Sequence, residues 1–258
     1  MRKIEGQELW NVLYKITFNL NYIGSRNVEQ SKAAWEKGWG ELVSKEQLYP
    51  QYYSKYKYGR YLGEYIEIDD TFEINYGIKI KEELFNKYIN KDTHNTFVEF
   101  GCGTGHNLVH VKNMFPHLKV IGTDWTDAAG KLVKKQGIEF HKFDMLNPID
   151  NLDVDWPNTV VFTMHSMEQL GTNWVKFFEY IKSKKPAIVL HIEPIYELYN
   201  LNHTPDFLAA LYHYKKAYLR GYLTELSKDK TVDLLHVKKS EIGCMYHDGY
   251  SIIAWRTR

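Results

Sequence analysis

Seven short runs rich in β-branched and aromatic residues recur between residue 95 and the C-terminus: TFVEF (96–100), KVIGTD (119–124), IEFHKF (138–143), NTVVFTM (158–164), PAIVLHI (186–192), VDLLHV (232–237) and GYSIIAW (249–255). Stretches with helical spacing separate most of them, and strands joined through helices run parallel with the helices packed on both faces of the sheet. The predicted fold is therefore α/β, a mostly parallel seven-stranded sheet. The last two runs are joined by too few residues for a crossover helix, so they are expected to pair antiparallel. Between the fifth and sixth runs, residues 206–226 place Phe207, Leu208, Leu211, Tyr218, Leu219, Tyr222 and Leu226 on one side of a predicted long helix, with Pro205 and Asp206 as start signals.

Residues 1–95 read differently. Helical stretches fall around 5–18, 28–38 and 78–90, with the tyrosine-loaded segment YPQYYSKYKYGRYLGEY before the third. The region has no evident core of its own and is expected to form a mainly helical cap on a domain made by residues 96–258. Tyr58, Arg60 and Tyr65 are its candidate lid residues, with Arg60 suited to a carboxylate or phosphate. An amphipathic packing surface or a homodimer face accounts for the same tyrosines.

Lys and Arg number 33 against 32 Asp and Glu, a formal charge of +1. No broad positive field therefore draws the chain to nucleic acid or an anionic membrane, and a small-molecule partner is favoured. Tyrosines interleaved with lysines can stack on single-stranded RNA, but no recognisable RNA-binding module precedes the α/β part. No run approaches the roughly 18 apolar residues of a membrane span, and MRKIEGQELW lacks the apolar core of a signal peptide. Cys102 and Cys244 are too few for a disulfide framework. These features together predict a soluble cytoplasmic protein.

The first run leads directly into Gly101, Gly103 and Gly105 and then a predicted helix near His106. Such a strand–turn–helix lets backbone N–H groups approach a nucleotide-like ligand. The dinucleotide fingerprint needs a further glycine where His106 stands, and a P-loop needs Gly-Lys-Ser or Gly-Lys-Thr where Gly105-His106-Asn107 stands. The second run ends in Asp124, a carboxylate placed to accept from a ribose diol. The third ends in Phe143-Asp144-Met145, with an acid for an adenine amino group and Trp125 and Met145 to pack the base.

Glu99-Phe100-Gly101-Cys102-Gly103-Thr104-Gly105, Asp124 and Asp144 resemble the first three motifs of class I S-adenosylmethionine-dependent methyltransferases. The resemblance covers residues 95–258. It implies a Rossmann-like sheet of order 3-2-1-4-5-7-6 and S-adenosylmethionine as cofactor. It assigns Gly101, Gly103 and Gly105 to the methionine portion, Asp124 to the ribose and Asp144 to the adenine, with Glu99 as the acidic residue beneath the glycine loop. Cys102 lies inside the turn, where a small side chain fills space.

Methyl transfer is an in-line displacement at an activated carbon, so the protein aligns the acceptor and, for a hydroxyl, removes its proton. The fourth run leads into His165-Ser166-Met167-Glu168-Gln169 and the fifth into His191-Ile192-Glu193-Pro194. His165 is the first candidate base and lies beside the cofactor residues; His191 is the second, open also to the reading of a core histidine. Glu168 and Glu193 can orient a histidine, bind acceptor hydroxyls or cap the following helices. His213, on the predicted long helix, is a further acceptor-side candidate. Two His and two carboxylates also fit a divalent metal, but the Asp-Asn or Asp-Asp pair of metal-using relatives is missing, so no metal site is assigned.

HIEPIYELY, the tyrosine-rich helix and the ending HDGYSIIAWR resemble methyltransferases of bacterial surface-polysaccharide (capsule) gene clusters. That points to O-methylation of a sugar, a nucleotide-linked sugar or a phosphorylated metabolite. RNA or protein methylation and a non-catalytic S-adenosylmethionine-binding role are the alternatives.

Overall fold

A computed structural model describes residues 2–45 and 57–258. The central sheet consists of β4 (Thr96–Phe100), β5 (Lys119–Asp124), β6 (Glu139–Lys142), β7 (Thr159–Met164), β8 (Ile188–Glu193), β9 (Val232–Lys238) and β11 (Ser251–Thr257). Its spatial order is β6-β5-β4-β7-β8-β11-β9, which is 3-2-1-4-5-7-6 counted along this domain. The pairings from β6 through β8 are parallel, and β11 runs antiparallel to both β8 and β9. Strands β4, β7 and β8 are buried along their whole length, which is why they read as continuous apolar runs instead of alternating ones.

Helices cover both faces. On one, α3 (Phe72–Tyr88) and α4 (His106–Met114) bring Leu84, Phe85, Leu108 and Val111 against Phe97, Phe162, Leu190 and Ile192. On the other, α6 (Val175–Lys184) and α8 (Tyr222–Lys228) bring Phe177, Ile181, Tyr222 and Leu226 against Val98, Phe100, Val189 and Trp255. The helix expected over 206–226 is broken: α7 covers Thr204–Lys216, and the chain turns before α8 begins. Ala217 closes α7 with φ 53°, and Gly221 precedes α8 with φ 83°. The turn is held from outside, because Leu219 and Arg220 N–H donate to the carbonyls of Glu168 and Gly171 at 3.1 and 3.2 Å. Tertiary bonds have overridden the apolar spacing.

The N-terminal region carries α1 (Gly6–Leu20), α2 (Val28–Lys45) and α3, and also strands absent from the sequence expectation. β1 (Arg2–Lys3), β2 (Tyr58–Tyr61) and β3 (Glu64–Glu67) form a small antiparallel sheet in the order β1-β3-β2-β10, closed by β10 (Ile242–Cys244) from the far end of the chain. The core beneath it joins Ile4, Val12, Ile16 and Tyr65 to Leu208 of α7 and to Met245 and Tyr246. The N-terminal region thus completes its sheet and core with residues from the C-terminal part. Tyr49, Tyr52, Tyr53 and Tyr56 of the tyrosine-rich segment lie outside the described residues.

Candidate functional site

A cleft of about 800 Å³ opens at the C-terminal ends of β4, β5 and β7, where ligands bind in open α/β sheets. Its floor is the glycine turn. Gly101 has φ 73° and Gly103 φ 53°, a region L residues enter at a cost. A Cβ at Gly101 would overlap that of Ser166, and one at Gly103 would stand 2.9 Å from the Trp39 ring. The turn is fixed from behind by Gly101 and Cys102 N–H, both donating to the Thr123 carbonyl. Gly105 does not line the cleft; it precedes α4 and packs against Val133.

Of the cofactor residues expected from the sequence, Glu99, Gly101, Cys102, Gly103, Asp124, Trp125, Asp144, Met145 and His165 all line this one cleft. Glu99 is 1% exposed. Its Oε1 accepts from Asn107 Nδ2 at 2.7 Å, while Oε2 is buried without a partner. Burial pushes the carboxyl up to about 8, against the Asn107 bond and the charge of Lys81. Lys81, itself buried and lowered to about 8 by burial, donates to Asn107 Oδ1 at 2.7 Å. A cationic ligand at Oε2 would favour ionisation of this carboxyl and complete that chain, since an unpaired buried carboxyl oxygen is costly.

Asp124 works first within the protein. Oδ2 accepts from Gly103 N–H at 3.1 Å, and Oδ1 from Thr126 N–H and Oγ1 at 2.9 and 2.7 Å. It thereby locks the glycine turn to the start of α5 (Asp127–Lys135); Oδ1 is filled by its two donors, and Oδ2 retains a lone pair for a ligand. Asp144 folds back on its own turn, accepting from Leu146 N–H at 2.9 Å. Cys102 is buried against the turn, and burial raises its thiol well above the ordinary range, so it is a space-filling thiol, not a nucleophile.

The cleft roof comes from α2. Trp35 and Trp39 stack with centroids 4.9 Å apart and line the cleft. Between them in sequence, Glu36 accepts from the N–H groups of Asp127 and Ala128 at 2.8 and 3.0 Å, capping the N-terminus of α5. Sequence reading missed this side of the cleft; the signal was two tryptophans at i, i+4 flanking a carboxylate. The residues expected as a lid lie elsewhere. Arg60 is fully buried, pairing with Asp206 at 2.6 Å and Asp248 at 3.5 Å. Tyr65 is in the cap core, and Tyr58 donates to Glu8 at 3.0 Å.

The catalytic candidates separate. His165 lines the cleft with φ 52°, its Nε2 2.9 Å from the Gly249 carbonyl. A carbonyl only accepts, so Nε2 carries the proton and Nδ1 is the ring acceptor. Burial lowers His165 to about 4, and it is neutral at pH 7. His191 is corrected to a core residue: its Nε2 lies 2.8 Å from Tyr222 Oη, Trp255 Nε1–H points between that nitrogen and Tyr222 Oη at 3.0 Å from each, and its Nδ1 meets Thr163 Oγ1 at 2.8 Å. Burial lowers it to about 3.

Glu193 does not face a ligand either, because three backbone N–H groups take its oxygens: Ser166 and Met167 at 3.0 Å and Glu168 at 3.3 Å. Glu168 is buried outside the cleft lining and accepts from Gln169 Nε2 at 2.7 Å; burial, then the neighbouring Glu193 charge, raises it to about 8. His213 is sealed between Tyr199 Oη and His247 Nδ1. Among the described residues no three His, Cys, Asp or Glu side chains converge as metal ligands, and no helix is long and apolar enough to cross a membrane.

No family model and no curated protein matches the chain. Solved structures do. The (4+2)-cyclase SpnF aligns over 91% of this chain and 97% of its own at 9% identity, TM-score 0.62. The plantazolicin methyltransferase BamL, in complex with a triazolic desmethylPZN analogue and SAH, aligns over 90% and 99% at 14% identity, TM-score 0.53. The riboflavin-type dimethyltransferase RosA from Streptomyces davawensis aligns over 73% of this chain at 14% identity and TM-score 0.47, and the chain spans 57% of its length. At these identities the likeness establishes the fold, the Rossmann-like fold of class I methyltransferases.

Proposed function

We propose that the protein is an S-adenosylmethionine-dependent methyltransferase acting on a small polar acceptor. The observation that carries the reading is the partnerless Oε2 of Glu99, buried beneath a glycine turn in a cleft that also holds Asp124. That oxygen suits the α-ammonium of the cofactor, Asp124 the ribose, and Phe143, Trp125 and Met145 the adenine, with Asp144 at its rim. The cofactor supplies a methyl group on a positively charged sulfur. Trp35 and Trp39 exclude water from the cleft, and the wall at His165 and Ser166 positions the acceptor. His165, neutral at pH 7, takes the acceptor hydroxyl proton at Nδ1. The sugar or phosphorylated-metabolite acceptor and the surface-polysaccharide setting rest on the sequence resemblance of residues 191–199 and 247–256.

Calorimetric titration with S-adenosylmethionine and S-adenosylhomocysteine, with NAD as control, tests this. Micromolar binding of the first two is expected, weakened in Glu99→Gln. His165→Ala should keep that binding and lose methyl transfer. Binding of NAD alone would refute the reading. A second reading, cofactor binding without methyl transfer, is supported by the likeness to SpnF, whose name records a cyclase. It predicts that the wild type binds S-adenosylmethionine without methyl transfer, so that it and His165→Ala behave alike.

A further inference from the structure

Beside the cleft lies a second, larger cavity of about 1190 Å³, and the two share the walls Trp35, Trp125, Gln169 and Leu170. It is bounded by the loop before α2, the turn after β7 and the break between α7 and α8. A group bound there therefore sits against whatever occupies the cofactor cleft.

The charge on its walls is one-sided. Arg26, Lys216 and Arg220 line it against the single carboxylate of Glu29. None of the three cations is in an ion pair among the described residues. Elsewhere the chain pairs such groups: Arg60 with Asp206, Lys182 with Asp229, and Lys239 with Asp206. Arg220 Nε is buried with no hydrogen-bond partner, although the guanidinium stacks 4.9 Å from the Tyr214 ring centroid. With a net charge of only +1 on the whole chain, this cluster does not reflect a general basic excess.

We propose that this cavity is an anion site that holds a phosphate or carboxylate group of the acceptor, with Arg220 and Lys216 as its main ligands and Arg26 at its mouth. An oxyanion satisfies the orphaned Arg220 donor and offsets the mutual repulsion of three cations. Trp35, Trp125 and Tyr218 give the body of such a molecule aromatic surface to lie on. Only the word acceptor depends on the methyl-transfer reading; the anion site does not.

The test titrates inorganic pyrophosphate into protein saturated with S-adenosylhomocysteine, following tryptophan fluorescence at constant ionic strength. Saturable binding is expected. It should weaken about tenfold or more in Lys216→Gln and in Arg220→Gln, the scale of one lost charge-assisted contact, with S-adenosylhomocysteine affinity unchanged. If Arg220→Gln lowers the melting temperature, Lys216→Gln, at the half-buried end of α7, decides alone. No saturable binding to the wild type, or equal binding to Lys216→Gln, overturns the proposal. Pyrophosphate binding without S-adenosylhomocysteine binding sinks the methyltransferase reading and leaves the anion site standing.

Discussion

Gly101→Ala isolates the contact that shapes the cleft floor. Two costs follow from the structure. A left-handed φ of 73° costs an L residue roughly 1–2 kcal/mol. The new Cβ overlaps Ser166 Cβ and stands 2.9 Å from its Oγ, an overpacking of about 1–3 kcal/mol because Ser166 is held by Phe100 and Glu193. The single variant should therefore lose about 2–5 kcal/mol, a melting temperature lower by roughly 5–15 °C for a chain of this size. Ser166→Gly alone forfeits the bond to the Phe100 carbonyl and gains chain entropy in the unfolded state, about 1–2.5 kcal/mol together. In the double variant the overlap disappears while the φ cost stays. Urea unfolding of all four proteins should give a favourable coupling of about 1–3 kcal/mol. Additivity within about 0.5 kcal/mol would mean that Gly101 and Ser166 do not touch and that the cleft floor is built otherwise.

Trp39→Ala should weaken S-adenosylhomocysteine binding by about tenfold through loss of a buried aromatic wall, with the cofactor off-rate rising more than the on-rate falls. Glu36→Gln removes the charge that caps α5; about 1 kcal/mol of stability should go, and limited proteolysis should cut α2 first. Stability should peak in mildly acid solution. His191 and His213 are held near 3 by burial, so the unfolded chain binds their protons first and stability falls as pH drops from about 6.5 toward 3. Glu99 and Glu168 are raised to about 8 by burial, so the stability they contribute is full below about 4.5 and lost as pH rises to 8. A melting temperature that is flat from pH 6.5 to 8 would show both carboxyls ionising normally. Arg60→Ala leaves Asp248 without its cation and Asp206 with Lys239 alone, and should cost about 3–5 kcal/mol, detaching β2 from α7 in hydrogen exchange.

The central sheet was legible because its strands are local, apolar and punctuated by glycine and helix starts, and the parallel-then-antiparallel order follows from connection length. The grouping of Glu99, Gly101, Asp124 and Asp144 around one cleft was legible for the same reason, because each sits at a strand end. What stayed hidden depends on distant partners. β10 is three residues long and pairs with a strand some 180 residues earlier, so no local pattern announces it. Arg60 in Tyr-Gly-Arg-Tyr looks like an exposed cation until Asp206 and Asp248 arrive from the other end of the chain. His191 did carry a warning, since it stands in the apolar run Ile-Val-Leu-His-Ile. Proximity to a strand end suggested chemistry, but its side chain points into the Trp255–Tyr222 core.

The same contrast explains why His165 remains the residue to test at the cleft. It is one of four non-glycine residues with positive φ in the described chain, and a conformation costing of order 1 kcal/mol or more persists only where its surroundings over-determine it. Here they do. Its N–H donates to the Ile192 carbonyl at 3.1 Å, its ring is fixed on the Gly249 carbonyl, and the next three N–H groups are taken by Glu193. Of the roles the sequence left open for Glu193, orienting a histidine, binding acceptor hydroxyls or capping the following helix, the structure favours the first and last: it clamps the loop that turns His165 toward the cleft. Glu193→Gln, with an amide N–H facing donors where an oxygen stood, should therefore impair turnover through His165 orientation while leaving the Glu99 end of the cleft, and S-adenosylhomocysteine affinity, nearly intact. An equal loss of cofactor binding would show that Glu193 supports the whole cleft and that the positive φ of His165 has no separate role.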